Sequence, residues 1–154
     1  MKNFKIDTPS FTKILQIGIV VFVLDKTIQT YKYVYGIGPW VKKEPIPHEK
    51  PDLRFNEKPV NTFGVKYALC KLDNLDIELL QPIKGIESDY SRFLKEHGEG
   101  IHHIAIEQTD KFEKILEERN IKEIHGGYVS TTGKTFRYMD TRDDLKIITE
   151  FYVD

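Results

Sequence analysis

The feature that most constrains this chain is an internal repeat, because the pattern β-α-β-β-β occurs twice at a separation of about half its length. The first copy opens with Ile14-Leu-Gln-Ile-Gly-Ile-Val-Val-Phe-Val-Leu24, an apolar, β-branched run that reads as a buried strand. Asp25 reads as the N-cap of a helix with Ile28, Tyr31, Val34 and Tyr35 on one stripe and Gly36 as its stop. Residues 39–59 carry Pro39, Pro45, Pro47, Pro51 and Pro59. That stretch reads as a short strand near Trp40 and Val41, then a long irregular excursion of the kind that forms a lid or rim. Strands at 64–72 and 75–81, joined by an Asp73-Asn74 turn, complete the copy.

The second copy begins with the strand Gly100-Ile-His-His-Ile-Ala-Ile-Glu107. Asp110 and Glu113 then have capping-box spacing ahead of a helix that buries Phe112, Ile115 and Leu116. Strands at 121–129, 134–140 and 145–153 follow, with turn signals at Thr132-Gly133 and at 141–144. This divides a single domain of 1–154 into modules at 14–82 and 100–154, joined by an 83–99 linker in which Tyr90, Phe93 and Leu94 mark a short helix. The fold class is therefore α+β: two tandem βαβββ modules forming a pseudo-twofold, partly closed sheet around a concave cavity. Sequence leaves open whether the modules pair within one chain or across two.

A chain of 154 residues buries enough surface to fold without disulfide or metal staples, so a bound metal would serve function. Its 23 basic and 24 acidic residues give a net charge of −1, which argues against nucleic acid as the main partner. The apolar run at 14–24 is too short to span a bilayer and has no cleavage signature beside it. A single cysteine, Cys70, reads as a small packed hydrophobe in a cytoplasmic protein.

Strand periodicity singles out four polar residues, since alternate side chains face opposite sides of a sheet. Ile17, Ile19 and Val21 face the helix layer and leave Gln16, Gly18 and Val20 opposite; Ile77 and Leu79 leave Glu78. Ile104 and Ile106 leave His103 and Ala105, while Phe151 and Val153 leave Glu150 and Tyr152. In the repeat Gln16 corresponds to His103, and Glu78 to Glu150. One nitrogen and three oxygens thus share the concave face with small neighbours, a donor set for a hard or borderline divalent cation. By the same alternation His102 faces the other side and packs or hydrogen-bonds there. His48, His97 and His125 fall in loops or at strand edges, and Gly126-Gly127 reads as a turn or bulge.

From about Ile14 to Tyr152 the chain resembles the vicinal oxygen chelate superfamily, which includes glyoxalase I, methylmalonyl-CoA epimerase, extradiol dioxygenases and bleomycin-resistance proteins. The most specific segments are Ile77-Glu-Leu-Leu-Gln-Pro82 and Ser88-Asp-Tyr-Ser-Arg-Phe-Leu-Lys-Glu-His-Gly-Glu-Gly-Ile-His-His-Ile-Ala105, which look most like methylmalonyl-CoA epimerases. The resemblance implies one divalent ion (Co, Ni, Zn, Mn or Mg) held by Gln16, Glu78, His103 and Glu150. It also implies a small-molecule substrate, of which acyl-CoA is one class, and a homodimer. Three positions depart from the family pattern. Gln16 stands where histidine is more frequent, and Val20 stands where glyoxalase I carries an arginine for glutathione. Tyr67 stands where some epimerases carry a second glutamate.

The chemistry this set supports is proton transfer next to a carbonyl, with Glu150 as base, Glu78 as ligand and returning acid, and Tyr67 as hydrogen-bond donor or proton relay. The leading expectation is an epimerase-like isomerase. The alternatives are a glyoxalase-like lyase acting on a non-glutathione thiol adduct and a non-catalytic protein that sequesters a small molecule. A dioxygenase would want two histidines and one carboxylate, and the set holds only His103.

Overall fold

The computed structural model describes residues 8–43, 52–62, 64–129 and 132–154. The first copy contains β1 (Ile14–Val20), α1 (Leu24–Gln29), a π-helical continuation at Thr30–Val34, β2 (Val41–Lys43), β3 (Leu53–Phe55), β4 (Lys58–Val60), β5 (Val65–Lys71) and β6 (Asp76–Pro82). After α2 (Asp89–His97), the second copy contains β7 (Gly100–Ile106), α3 (Asp110–Glu118), β8 (Glu123–Val129), β9 (Lys134–Met139), α4 (Arg142–Leu145) and β10 (Ile148–Val153). All ten strands join one sheet in the order β2-β5-β6-β1-β7-β10-β9-β8-β3-β4. The architecture is mixed α+β, with the open sheet curled into a half-barrel. No described helix is long and apolar enough to cross a membrane.

The pseudo-twofold axis passes between β1 and β7, which lie antiparallel at the centre of the sheet. Each of them pairs in parallel with the last strand of its own copy, β1 with β6 and β7 with β10. The two modules therefore pair within one chain. Alternation along the strands sorts the apolar side chains into three clusters. Val21, Leu24, Ile28, Ala68 and Leu79 pack under α1, and Ile106, Phe112, Leu116, Met139 and Phe151 pack under α3. On the concave side Val20, Val65, Leu80, Phe136, Tyr138 and Ile148 form the third, with Tyr90 of α2 laid against them. A fully buried side chain such as Phe151 or Leu79 contributes about 1.5–3 kcal/mol.

Local chemistry moves several predicted boundaries. The cap of α3 is Thr109, whose Oγ1 accepts from the Phe112 amide at 3.1 Å, so Asp110 stands in the first turn instead of at the cap. The first helix begins at Leu24, which places Asp25 inside it. Its buried stripe ends at Tyr31, against Trp40, and Val34 and Tyr35 are 70% and 71% exposed. The π-helical turn is the reason, because extra residues per turn rotate the following side chains off the packed face. Leu145 belongs to α4 and not to the last strand; Lys146, at φ 66°, turns the chain into β10.

The largest departure concerns 39–59. This stretch is not irregular throughout: β3 and β4 form a hairpin that leaves its own module and pairs with β8 of the other. Gly126 and Gly127 are what let it approach. A Cβ on Gly127 would lie 2.6 Å from Leu53 Cδ2, and one on Gly126 would lie 2.6 Å from Arg54 Nη2. The two glycines sit inside β8, where they admit a neighbouring strand, and do not form a turn. Pro45, Pro47, His48 and Pro51, part of the expected rim, lie outside the described residues.

Candidate metal centre and active site

The sheet register brings the four predicted residues together in two rows. Across one row Gly18 of β1 stands between Glu78 of β6 and His103 of β7. Across the next, Ala105 of β7 stands between Gln16 of β1 and Glu150 of β10. The pseudo-twofold exchanges the rows, so each pair of polar side chains converges over one small residue. Space is the reason for the small residues: a Cβ on Gly18 would lie 2.0 Å from His103 Cε1, far inside van der Waals contact with the imidazole. Gln16, Glu78, His103 and Glu150 are all buried, His103 completely.

Donor atoms of Glu78, His103 and Glu150 all lie within 4.8 Å of one another. His103 Nε2 is 3.3 Å from Glu78 Oε2 and 3.2 Å from Glu150 Oε2. Neither oxygen is in hydrogen-bonding geometry with any group, and Gln16 Oε1 is likewise buried without a donor. Buried acceptors without a hydrogen-bond donor are costly, since such groups are nearly always partnered. A divalent cation would satisfy the two carboxylate oxygens together with the His103 nitrogen, and Gln16 lines the same cavity as a further oxygen donor, so the residues fit the metal that the fold implies.

The electrostatics agree with a cation-shaped gap. Burial opposes a charge on His103, but the pull of the Glu150 and Glu78 carboxylates outweighs it and holds the imidazole at about 9. In Glu78 burial prevails over the attraction of His103, and its carboxyl lies above the usual range. Without a metal, a proton on His103 stands where a cation would.

The cavity beside this cluster has a volume of about 120 Å³ and is lined by Gln16, Glu78 and Glu150, by Lys43 and by a wall of aromatics. Tyr67 of β5 opens into it, as sequence predicts. Its phenol is pushed up, first by burial and then by Glu78 and Glu150, so it stays a neutral O–H donor. Tyr138 and Tyr152 line the same space, and Tyr138 Oη is 3.5 Å from His103 Nε2. Sequence singled out neither as functional, although Tyr152 lies two residues from Glu150 and on the same face of its strand.

His102 departs from expectation. The β1–β7 register shifts between Gly18 and Ile19, pairing them with His103 and Ile101 and leaving His102 unpaired. Such a bulge re-aims a side chain. His102 Nδ1 accordingly lies 3.0 Å from His103 Nδ1, and its Nε2 lies 2.7 Å from Asp89 Oδ2 at the start of α2. His125 is also no loop or edge residue. It is buried in β8, stacks between Phe55 and Tyr90, and accepts the Asp89 backbone N–H at Nε2 over 3.1 Å. His97 ends α2 with its side chain exposed. Asp89 is the functional candidate that sequence reading missed.

No curated protein sequence matches the chain. Among solved structures, a methylmalonyl-CoA epimerase in complex with methylmalonyl-CoA and NH4+ is 23% identical, with 93% of this chain and 94% of that one covered and a TM-score of 0.66. A Streptomyces coelicolor methylmalonyl-CoA epimerase variant in complex with 2-nitronate-propionyl-CoA is 24% identical, with 93% and 97% covered and a TM-score of 0.65. The Mycobacterium tuberculosis methylmalonyl-CoA epimerase is 18% identical, with 94% and 89% covered and a TM-score of 0.65. At these identities the likeness is one of fold. Residues 15–138 match the model of a family that spans most of this domain, and the chain belongs to it: the Glyoxalase/Bleomycin resistance protein/Dioxygenase superfamily.

Proposed function

We propose that the protein is a metal-dependent isomerase or lyase that moves a proton next to a carbonyl, with an acyl-CoA epimerase-like reaction as the leading form. The observation that carries this reading is the set of buried acceptor oxygens without a hydrogen-bond donor, two of them gathered with His103 and the third, from Gln16, in the lining of the same aromatic cavity. Gln16, Glu78, His103 and Glu150 would hold one divalent ion. Its identity is open among Co, Ni, Zn, Mn and Mg. When bound, such an ion supplies the Lewis acidity that makes a carbon acid next to a carbonyl acidic enough to ionise.

The protein's own groups do the rest. Glu150 takes the proton as general base, and Glu78, whose carboxyl is raised by burial, returns it. Tyr67, neutral at physiological pH, donates to a substrate oxygen across the cavity. The Tyr138 and Tyr152 rings keep water from the reacting carbon. One observation favours a second reading, a glyoxalase-like lyase on a thiol adduct other than glutathione: among the described residues, Glu78 and Glu150 are the two carboxylates lining the cavity, and both sit beside His103. A proton passed between adjacent carbons by neighbouring carboxylates suits that arrangement.

We further assign the protein to the cytoplasm, where a free buried thiol such as Cys70 stays reduced, and to a homodimeric state. A dimer is supported by the exposed apolar side chains Phe22, Val23, Tyr35 and Ile101 near one end of β1 and β7. The reaction is tested by following deuterium from solvent into methylmalonyl-CoA with protein and Co2+. Exchange that stops on chelation and falls about 10²- to 10⁴-fold in Glu150→Gln supports the epimerase-like reading. Metal binding without exchange removes that substrate, and exchange unaffected by Glu150→Gln removes Glu150 as base.

A further inference from the structure

The linker helix α2 carries a group that serves the cluster from behind. Asp89 is 5% exposed and stands first in α2, where Ser88 caps the helix by accepting from the Ser91 amide at 3.1 Å. One oxygen of Asp89 is 2.7 Å from His102 Nε2, and the other is 3.7 Å from Arg142 Nη1. The His102 ring is held by Tyr90 and Phe93, at centroid distances of 5.0 and 5.3 Å. Its remaining nitrogen, Nδ1, lies 3.0 Å from Nδ1 of His103.

From these contacts we infer that Asp89 and His102 are positioning residues which hold the His103 Nδ1–H, so that Nε2 is the nitrogen turned to Glu78 and Glu150 and the one that ligates. The inference rests on the metal-centre reading above and follows from hydrogen-bond direction. An ionised carboxylate only accepts, so His102 donates from Nε2 to Asp89. A neutral imidazole carries one proton, so His102 Nδ1 is then bare and accepts. His103 must donate to it from Nδ1, which leaves Nε2 as the nitrogen that ligates. A metal-binding imidazole commonly donates its other N–H to a carboxylate or carbonyl; here a second imidazole stands between, reaching across the bulge at His102. Reversing the series would leave His103 Nδ1 bare and keep the one proton of the neutral ring on Nε2, where it excludes the cation. The linker is thereby more than a connection, since its carboxylate anchors the second module's ligand from outside both repeats.

The test reads tautomers first. Long-range 1H–15N correlation spectra of the metal-free wild type are predicted to show His102 protonated at Nε2 and bare at Nδ1, and His103 carrying a proton at Nδ1 besides the one that holds the cation's place at Nε2. Titration with Co2+ then compares the wild type with His102→Phe, which keeps an aromatic ring against Tyr90 and Phe93 but removes the acceptor. Affinity is predicted to fall about 10- to 100-fold. His102→Asn, with an amide oxygen near the place of Nδ1, recovers part of that loss. A proton found on His102 Nδ1, or a His102→Phe protein that binds Co2+ as tightly as the wild type, overturns the inference and leaves the metal centre standing. If the wild type takes up no Co2+, the metal-centre reading falls, and the metal-free spectra, which need no variant, still support or overturn the relay.

Discussion

Gly18 shows how strongly one residue governs this site. Its Cα is paired with that of His103, and the His103 ring occupies the volume that a Cβ would need. Gly18→Ala is predicted to displace the ring, costing about 1–3 kcal/mol of stability from overpacking and lowering Co2+ affinity at least tenfold. Thermal unfolding and calorimetric titration read the two effects, and unchanged affinity would show that the ring position does not matter. The four candidate ligands were legible because their spacing obeys strand alternation: each lies out of phase with the aliphatics that the helices cover. His102 was misread by the same rule, because a bulge breaks alternation between consecutive residues and leaves no mark in composition. Asp89 was not legible at all. A carboxylate in the first turn of a helix is ordinarily explained by the helix dipole, and only the folded chain brings it to His102.

Among the elements, β8 and α2 meet through His125, which accepts the Asp89 backbone N–H and stacks on Tyr90. Burial pushes this imidazole down to about 4, against an ordinary value near 6.5. Between those two pH values the unfolded chain binds a proton that the folded chain refuses, so stability falls as pH drops from about 6.5 towards 4. The slope from this group approaches about 1.4 kcal/mol per pH unit. Denaturant unfolding of wild type and His125→Gln across pH 4.5–7 isolates the contribution: the difference in stability between them should shrink or change sign at the acid end, and a constant difference would contradict the assignment. Strand and helix order was readable from periodicity, since apolar phase is a local property. The β3–β4 hairpin was not, because prolines hid two three-residue strands, and the partner of the first, β8, lies some seventy residues further on in the chain. The π-helical turn after α1 was hidden for a related reason, its cause being packing and not any residue that breaks a helix.

For the whole molecule, the pseudo-twofold ties fold to chemistry. Two copies of one module each place one candidate ligand on the first strand and one on the last, so the proposed centre draws on both. Exposed apolar side chains at one end of the central strands lead to a further expectation: light scattering should give twice the chain mass, and Phe22→Asp with Tyr35→Ser should halve it. A wild type that runs as a monomer at micromolar concentration would remove the dimer. The central claim, however, is the cation itself. Its most direct test is the metal content of the purified protein, measured by elemental analysis for wild type and His103→Ala after equilibration with Co2+, Ni2+, Zn2+ and Mn2+ in turn. The account predicts about one divalent ion per chain in the wild type and a marked loss in the variant; no ion bound under any of these conditions, or equal content in both proteins, would contradict it.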